Sequence, residues 1–183
     1  MRGLSKARSA RAGMSETHVK PSDDEALWRF SLAFYGRQGV SEALIALQDR
    51  ADLDVNLMLF ALWVGVSGRG RLTKEALEIA DRMARPIRAG IVEPLRVLRR
   101  RLKPDSDADV QSLREGIKAL ELAAEKVIQC RLGRTVRLAW GDTDPTTRAA
   151  AAGANLALYL GPQMVRSSEA ATIGEALEAF VRG

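Results

Sequence analysis

The stretch "DLDVNLMLFALWVGVSGRG" constrains this chain more than any other, because residues 55–66 are almost entirely apolar. The run from Val55 to Val66 is 12 residues long. A helix crossing a bilayer needs about 20. Its flanks cannot extend it: Asp49, Asp52 and Asp54 precede it, and Gly68, Arg69, Gly70 and Arg71 follow. A helix that is apolar on all sides at this length belongs inside a bundle, wrapped by other helices. Asp52 or Asp54 can accept from the free amides of its first turn and complements the dipole there. The glycines after it offer a stop. The run is therefore expected to be the central buried helix, with Asn56 as a capping or satisfied amide in its first turn.

The rest of the chain reads as amphipathic helix. Ser22 and Glu25 stand in capping-box spacing before Leu27, Phe30 and Phe34. Val40, Leu44 and Leu47 share a face after Gly36 and Gly39. A helix starting at Thr73 is punctuated by Pro86 and Pro94, which predicts a kink or break near Gly90. The longest pattern carries Val110, Leu113, Ile117, Leu120, Ala124, Val127 and Ile128 as its apolar stripe. Asp144–Pro145 reads as a cap with proline at the first helical position, and Thr172 and Glu175 as a last capping box. No segment alternates with period two. The fold expected is all-α: a single-domain bundle of about five to seven helices over residues 21–183, preceded by a disordered basic tail, residues 1–20.

Charge matters here by its position. The formal net charge is +5, but residues 1–20 hold five basic residues against one acid, so the remainder is nearly neutral. The basic balance belongs to the tail and does not by itself indicate a nucleic-acid-binding fold. The tail lacks the apolar block of a secretory signal. Met14 offers an alternative start within it. The single cysteine, Cys130, rules out an internal disulfide and fits a reducing compartment.

Trp28-x-Phe30, Tyr35, Gly39-Val40, "LQDR" at 47–50, "DVNLMLFALW" at 54–63 and "VEPLRVLRRRLK" at 92–103 follow one another in a specific order. Together they resemble a proteobacterial family of conserved hypothetical proteins, a domain of unknown function, over roughly residues 24–160. The resemblance implies a mostly helical, cytoplasmic bacterial protein. It transfers no catalytic residue.

Most familiar site chemistry is excluded by residue type or spacing. The only histidine, His18, lies in the tail, which removes Ser-His-Asp, Cys-His and histidine-metal arrangements from the core. "GVSGRG" lacks the spacing of a nucleophile elbow, and Arg71-Leu72 stands where a phosphate-binding loop needs Lys-Ser/Thr. Asp52, Asp54 and Asn56 begin a calcium-loop pattern, but Leu57 and Trp63 occupy its glycine and glutamate positions.

Two candidate sites remain. The acidic turn Asp49, Asp52 and Asp54 could hold Mg²⁺ and through it an anionic, phosphorylated or diphosphate substrate, with Asp23–Asp24 as a second acidic pair. No cofactor is expected otherwise. The basic stretch sets Arg96, Arg99, Arg100 and Lys103 on one face of an amphipathic helix. That face fits an acidic protein partner or anionic ligand. It could equally be solvated, or paired with Glu115, Glu121 and Glu125. No aromatic interleaves the arginines, which argues against nucleic acid. The leading expectation is a non-catalytic interaction protein docking through Arg96, Arg99, Arg100 and Lys103; the alternative is a divalent-cation-dependent enzyme. Convergence of the 49–54 carboxylates and the 96–103 arginines on one cavity would favour the enzyme, and separation on opposite faces the docking module.

Overall fold

The computed structural model describes residues 25–136 and 144–183. These residues form α1 (Ala26–Tyr35), α2 (Val40–Ala51), α3 (Val55–Val66), α4 (Lys74–Ile87), a π-helical turn (Arg88–Val92), α5 (Glu93–Arg101), α6 (Ala108–Thr135), α7 (Pro145–Met164) and α8 (Ser168–Arg182). Helix α4, the π turn and α5 run on without interruption, so the described residues make seven helical rods and no strand. The tail expected to be disordered, with Met14 and His18, and the expected cap at Ser22 and pair Asp23–Asp24, lie outside the described residues.

Helix α3 is the centre of the bundle. Every residue from Asn56 to Gly65 is buried. Helix α7 forms its largest interface, and α1, α2, α4 and α6 cover the rest. The wrapping helices contribute Leu27 and Phe34 from α1, Leu44 and Leu47 from α2, Ile128 and Leu132 from α6, and Leu156 and Leu160 from α7. Helix α8 closes over α2 and α7. Its Phe180 meets the rings of Phe30 and Phe34 edge-on, with centroids 5.5 and 5.6 Å away. Among the described residues no helix is long and apolar enough to cross a membrane.

The caps explain most helix starts. Asp54 is the cap of α3, its carboxylate accepting from the Asn56 amide at 2.8 Å. Asp52 instead ends α2 in the left-handed region, with φ of 52°. Thr73 caps α4, and Asp144 caps α7 ahead of Pro145. The last start differs from expectation. Ser167 caps α8 by accepting from the Ala170 amide, and Thr172 lies inside the helix, its hydroxyl donating to the Ser168 carbonyl at 3.0 Å. An earlier serine already satisfies the first turn, so Thr172 is not needed as a cap.

The kink expected near Gly90 is the π turn. Pro94 has no N–H and its ring crowds the carbonyl four residues before it, which is that of Gly90. Widening the helix by one residue over Arg88–Val92 gives that carbonyl room without breaking the rod.

Helix α6 is rotated away from its expected stripe. Of the seven apolar positions, only Ile128 is buried; Leu113, Leu120 and Val127 are exposed. Glu121, Gln129 and Leu132 face inward with Ile128. Two polar attachments account for the rotation. Glu121 meets Arg96 and Arg99 of α5, and the Gln129 amide donates to Asn56 Oδ1 of α3 at 2.9 Å. Buried polar groups must be paired, so these contacts decide which face turns inward.

Candidate functional site

A cleft of about 350 Å³ opens between the α2–α3 turn and the rod of α4, π turn and α5. Asp49, Asp52 and Asp54 line one side, and Arg88, Arg96 and Arg100 the other. The α2–α3 turn brings the acids there because Asp52 ends one helix and Asp54 starts the next. The rod brings the arginines, since positions 88, 92, 96 and 100 recur at roughly one helical turn.

The inner end of the cleft is a closed polar network. Arg88 donates to Asp54 Oδ2 at 2.8 Å and lies 3.2 Å from Asp81 Oδ1. Burial disfavours the Arg88 charge, but Asp54 and Asp81 outweigh it and hold the guanidinium above its ordinary pKa. The Asp54 amide donates to the Tyr159 hydroxyl at 2.9 Å. Burial, with the nearby Asp54 charge, pushes Tyr159 up to about 12. The Asp54 carboxylate is thus engaged twice, by its own helix cap and by Arg88.

The wall is a second network. Arg96 Nε donates to Glu121 Oε1 at 2.9 Å and its Nη2 to Glu125 Oε1 at 3.0 Å. Arg99 Nε donates to Glu121 Oε2 at 2.6 Å. Burial alone would raise Glu121, yet the hydrogen bonds from Arg99 and Arg96 leave it below the ordinary carboxylate value. At Glu125 burial wins over Arg96, and its pKa is raised.

At the mouth Arg100 is 59% exposed, with Asp49 Oδ1 3.7 Å from its Nη2. Its guanidinium is the least committed of those lining the cleft. The single expected arginine face is therefore divided. Arg96 and Arg100 line the cleft, Arg99 turns to α6, and Lys103 sits exposed beyond the last turn of α5, outside the cleft. Arg96 and Arg99 are paired inside the bundle, since Glu121 is buried beside them.

The acidic turn and the arginine helix do converge on one cavity, the arrangement that counts toward an enzyme and against a docking module. The three aspartates are not gathered as ligands, however: among the described residues no group of three or more histidine, cysteine, aspartate or glutamate side chains could hold a metal ion. Cys130 is a half-buried free thiol. Sequence reasoning named Glu121 and Glu125 as possible partners of the arginines. It missed Arg88 as a site residue, and Tyr159, which lies 105 positions from Asp54 and carries no local signal. The cleft can supply a cationic contact at Arg100, with the Asp49 and Asp52 carboxylates opposite for a hydroxyl or ammonium group.

No curated protein and no solved structure matches the chain. All the residues lining the cleft fall within the one segment that does match a family, whereas α7 and α8 lie beyond it. Residues 26–132, more than half of the sequence, match the family described as Protein of unknown function (DUF2390), and the chain belongs to that family.

Proposed function

We propose that this protein binds a small anionic ligand in the cleft between the α2–α3 turn and α5. The observation that carries this reading is the meeting of Asp49 and Asp52 with Arg100 around one opening. Arg100 takes the ligand's carboxylate or phosphate group. Asp49 gives up its long contact with Arg100 and, with Asp52, accepts from a hydroxyl or ammonium on the same molecule. Arg96 lies behind, its charge balanced by Glu121 and Glu125, and forms a fixed wall of the cleft.

The test is titration of the full chain with inorganic phosphate, pyrophosphate and small dicarboxylates, followed by amide NMR shifts and calorimetry, with and without Mg²⁺. Binding should shift the amides of residues 49–54 and 96–100. Arg100→Glu should keep the fold and weaken binding about tenfold or more, as expected for loss of a charge-assisted contact. Tighter pyrophosphate binding with Mg²⁺ that is lost in Asp52→Asn would favour the divalent-cation enzyme. No shift in the cleft with any probe would overturn the ligand reading.

Docking of an acidic protein is favoured by a different observation. Arg101 and Lys103 are exposed and have no ion-pair partner among the described residues. In that reading Arg101→Glu with Lys103→Glu abolishes partner capture, while binding of small anions is unchanged.

A further inference from the structure

Helix α6 carries a surface that its own fold leaves uncovered. Leu113, Gly116, Leu120, Ala123 and Val127 recur at alternating intervals of three and four residues. That is the seam spacing of a two-helix coiled coil. The seam lies outside the bundle: Leu113 is 59% exposed, Leu120 60% and Val127 46%. Gly116 and Ala123 between them are exposed too. A row of large apolar side chains on the outside of a long helix marks an interaction surface.

Gly116 is unexplained within one chain. Glycine weakens a helix interior. A Cβ at this position would meet nothing within 4 Å, so no neighbour in the bundle requires its absence. A second helix crossing closely there would use the space.

The seam is complementary to itself when reversed. Reversed about Leu120, the seam sets Leu113 against Val127, Leu120 against its own copy and Gly116 beside Ala123, so the small residues let the two backbones approach on either side of the axis. The charges at its ends select the same direction. Asp105, Asp107 and Asp109 stand at the start of α6, and Arg131 and Arg134 at its end. A parallel copy would bring like charges together, whereas an antiparallel one sets the aspartates opposite the arginines. Asp109 and Arg131 have no ion-pair partner among the described residues.

We propose that α6 is a homodimer interface, in which a second copy of this chain packs antiparallel along Leu113–Val127 about a two-fold axis near Leu120, with Asp109 of each copy facing Arg131 of the other. The interface is isologous, as the commonest soluble dimers are. It runs along a helix of 28 residues, which is about 42 Å long. Residues 1–20 are a poorer occupant, because their sequence offers arginines, serines and alanines and no apolar block.

The experiment is sedimentation equilibrium on the full chain and surface variants, with far-ultraviolet dichroism confirming that each remains folded. The wild type should be a dimer. Leu120→Glu sets two carboxylates against each other at the axis and should raise the dissociation constant about a hundredfold. Asp109→Arg and Arg131→Asp should each weaken the dimer about tenfold, and the double reversal should recover it to within about threefold. A wild-type chain that is monomeric at about 100 μM overturns the proposal. A folded Leu120→Glu variant that dimerises as wild type does the same. Failure of the double reversal to rescue overturns the antiparallel arrangement.

Discussion

Gly65 of α3 lies directly against the backbone of Ala152 in α7: a Cβ at position 65 would stand 2.2 Å from the Ala152 nitrogen and 2.3 Å from its Cα. Backbone cannot rotate out of the way as a side chain can. Gly65→Ala should therefore force α3 and α7 apart and cost about 3 kcal/mol, the upper range for overpacking a core. Gly153→Ala, one position along α7, is the control. Nothing lies within 4 Å of its Cβ position, so improved helix propensity should leave stability unchanged or raise it by up to about 1 kcal/mol. Urea denaturation of both variants checks the contrast.

Asn155 pins the loop after α3. It is 1% exposed. Its Nδ2 donates to the Ala61 and Gly70 carbonyls at 3.2 and 3.0 Å, and its Oδ1 accepts from the Leu72 amide at 2.7 Å. Asn155→Leu keeps much of the volume and leaves those groups unsatisfied. A loss of about 3 kcal/mol is expected. Hydrogen exchange should show the Leu72 amide losing protection.

Glu121 and Glu125 are one turn apart on α6 and should respond in opposite directions. Glu121 has a lowered pKa, so its contribution is present above the ordinary 4.5 and is lost as pH falls through the lower folded value. Glu121→Gln should cost about 2 kcal/mol at pH 7, because Arg96 and Arg99 both lose their charged acceptor. Glu125 has a raised pKa, so holding it ionised opposes folding above its folded value. Glu125→Gln should match or exceed wild-type stability at pH 7, and that advantage should shrink toward pH 4. Denaturation at the two pH values separates the cases.

The Arg50–Glu169 ion pair ties α2 to α8. The hydrogen bond from Arg50, with that from Glu169's own backbone amide, holds Glu169 down to about 2. A lowered carboxylate stabilises the fold above 4.5, and that stabilisation disappears as pH falls from 4.5 toward 2. Glu169→Gln should flatten the acid side of the stability profile over that window. The difference from wild type should diminish in 1 M NaCl, since the pair is near solvent. Thermal melting across pH 2–6 would measure it, and an unchanged profile would contradict the assignment.

The central helix shows how far local pattern reaches. Twelve apolar residues between aspartates and glycines can satisfy themselves only inside a bundle, and α3 has the bounds read from the sequence. The caps at Thr73 and Asp144 were legible, and that of α3 was narrowed to Asp52 or Asp54, for the same reason: a side-chain oxygen reaches the amides of the next turn, two or three residues away. Half of the candidate site was legible too. Asp49, Asp52, Asp54, Arg96 and Arg100 stand out by charge, and the structure brings these five to one cleft.

What the arginines do there was settled only by packing. On a helical projection Arg96, Arg99, Arg100 and Lys103 look equivalent. In the bundle two of them pair with Glu121, and one is left at a cleft mouth. The same pairing turns α6 so that Leu113 and Leu120 face out, against its own apolar periodicity. By itself the sequence determined the helices, the starts of α3, α4 and α7 and the identity of the core helix, because those depend on contacts within a few residues. The rotation of α6, the closure of Tyr159 onto Asp54 and the division of the arginines were decided by the tertiary structure. Each requires a buried polar group to find a partner far along the chain, and residue spacing carries no record of that distance.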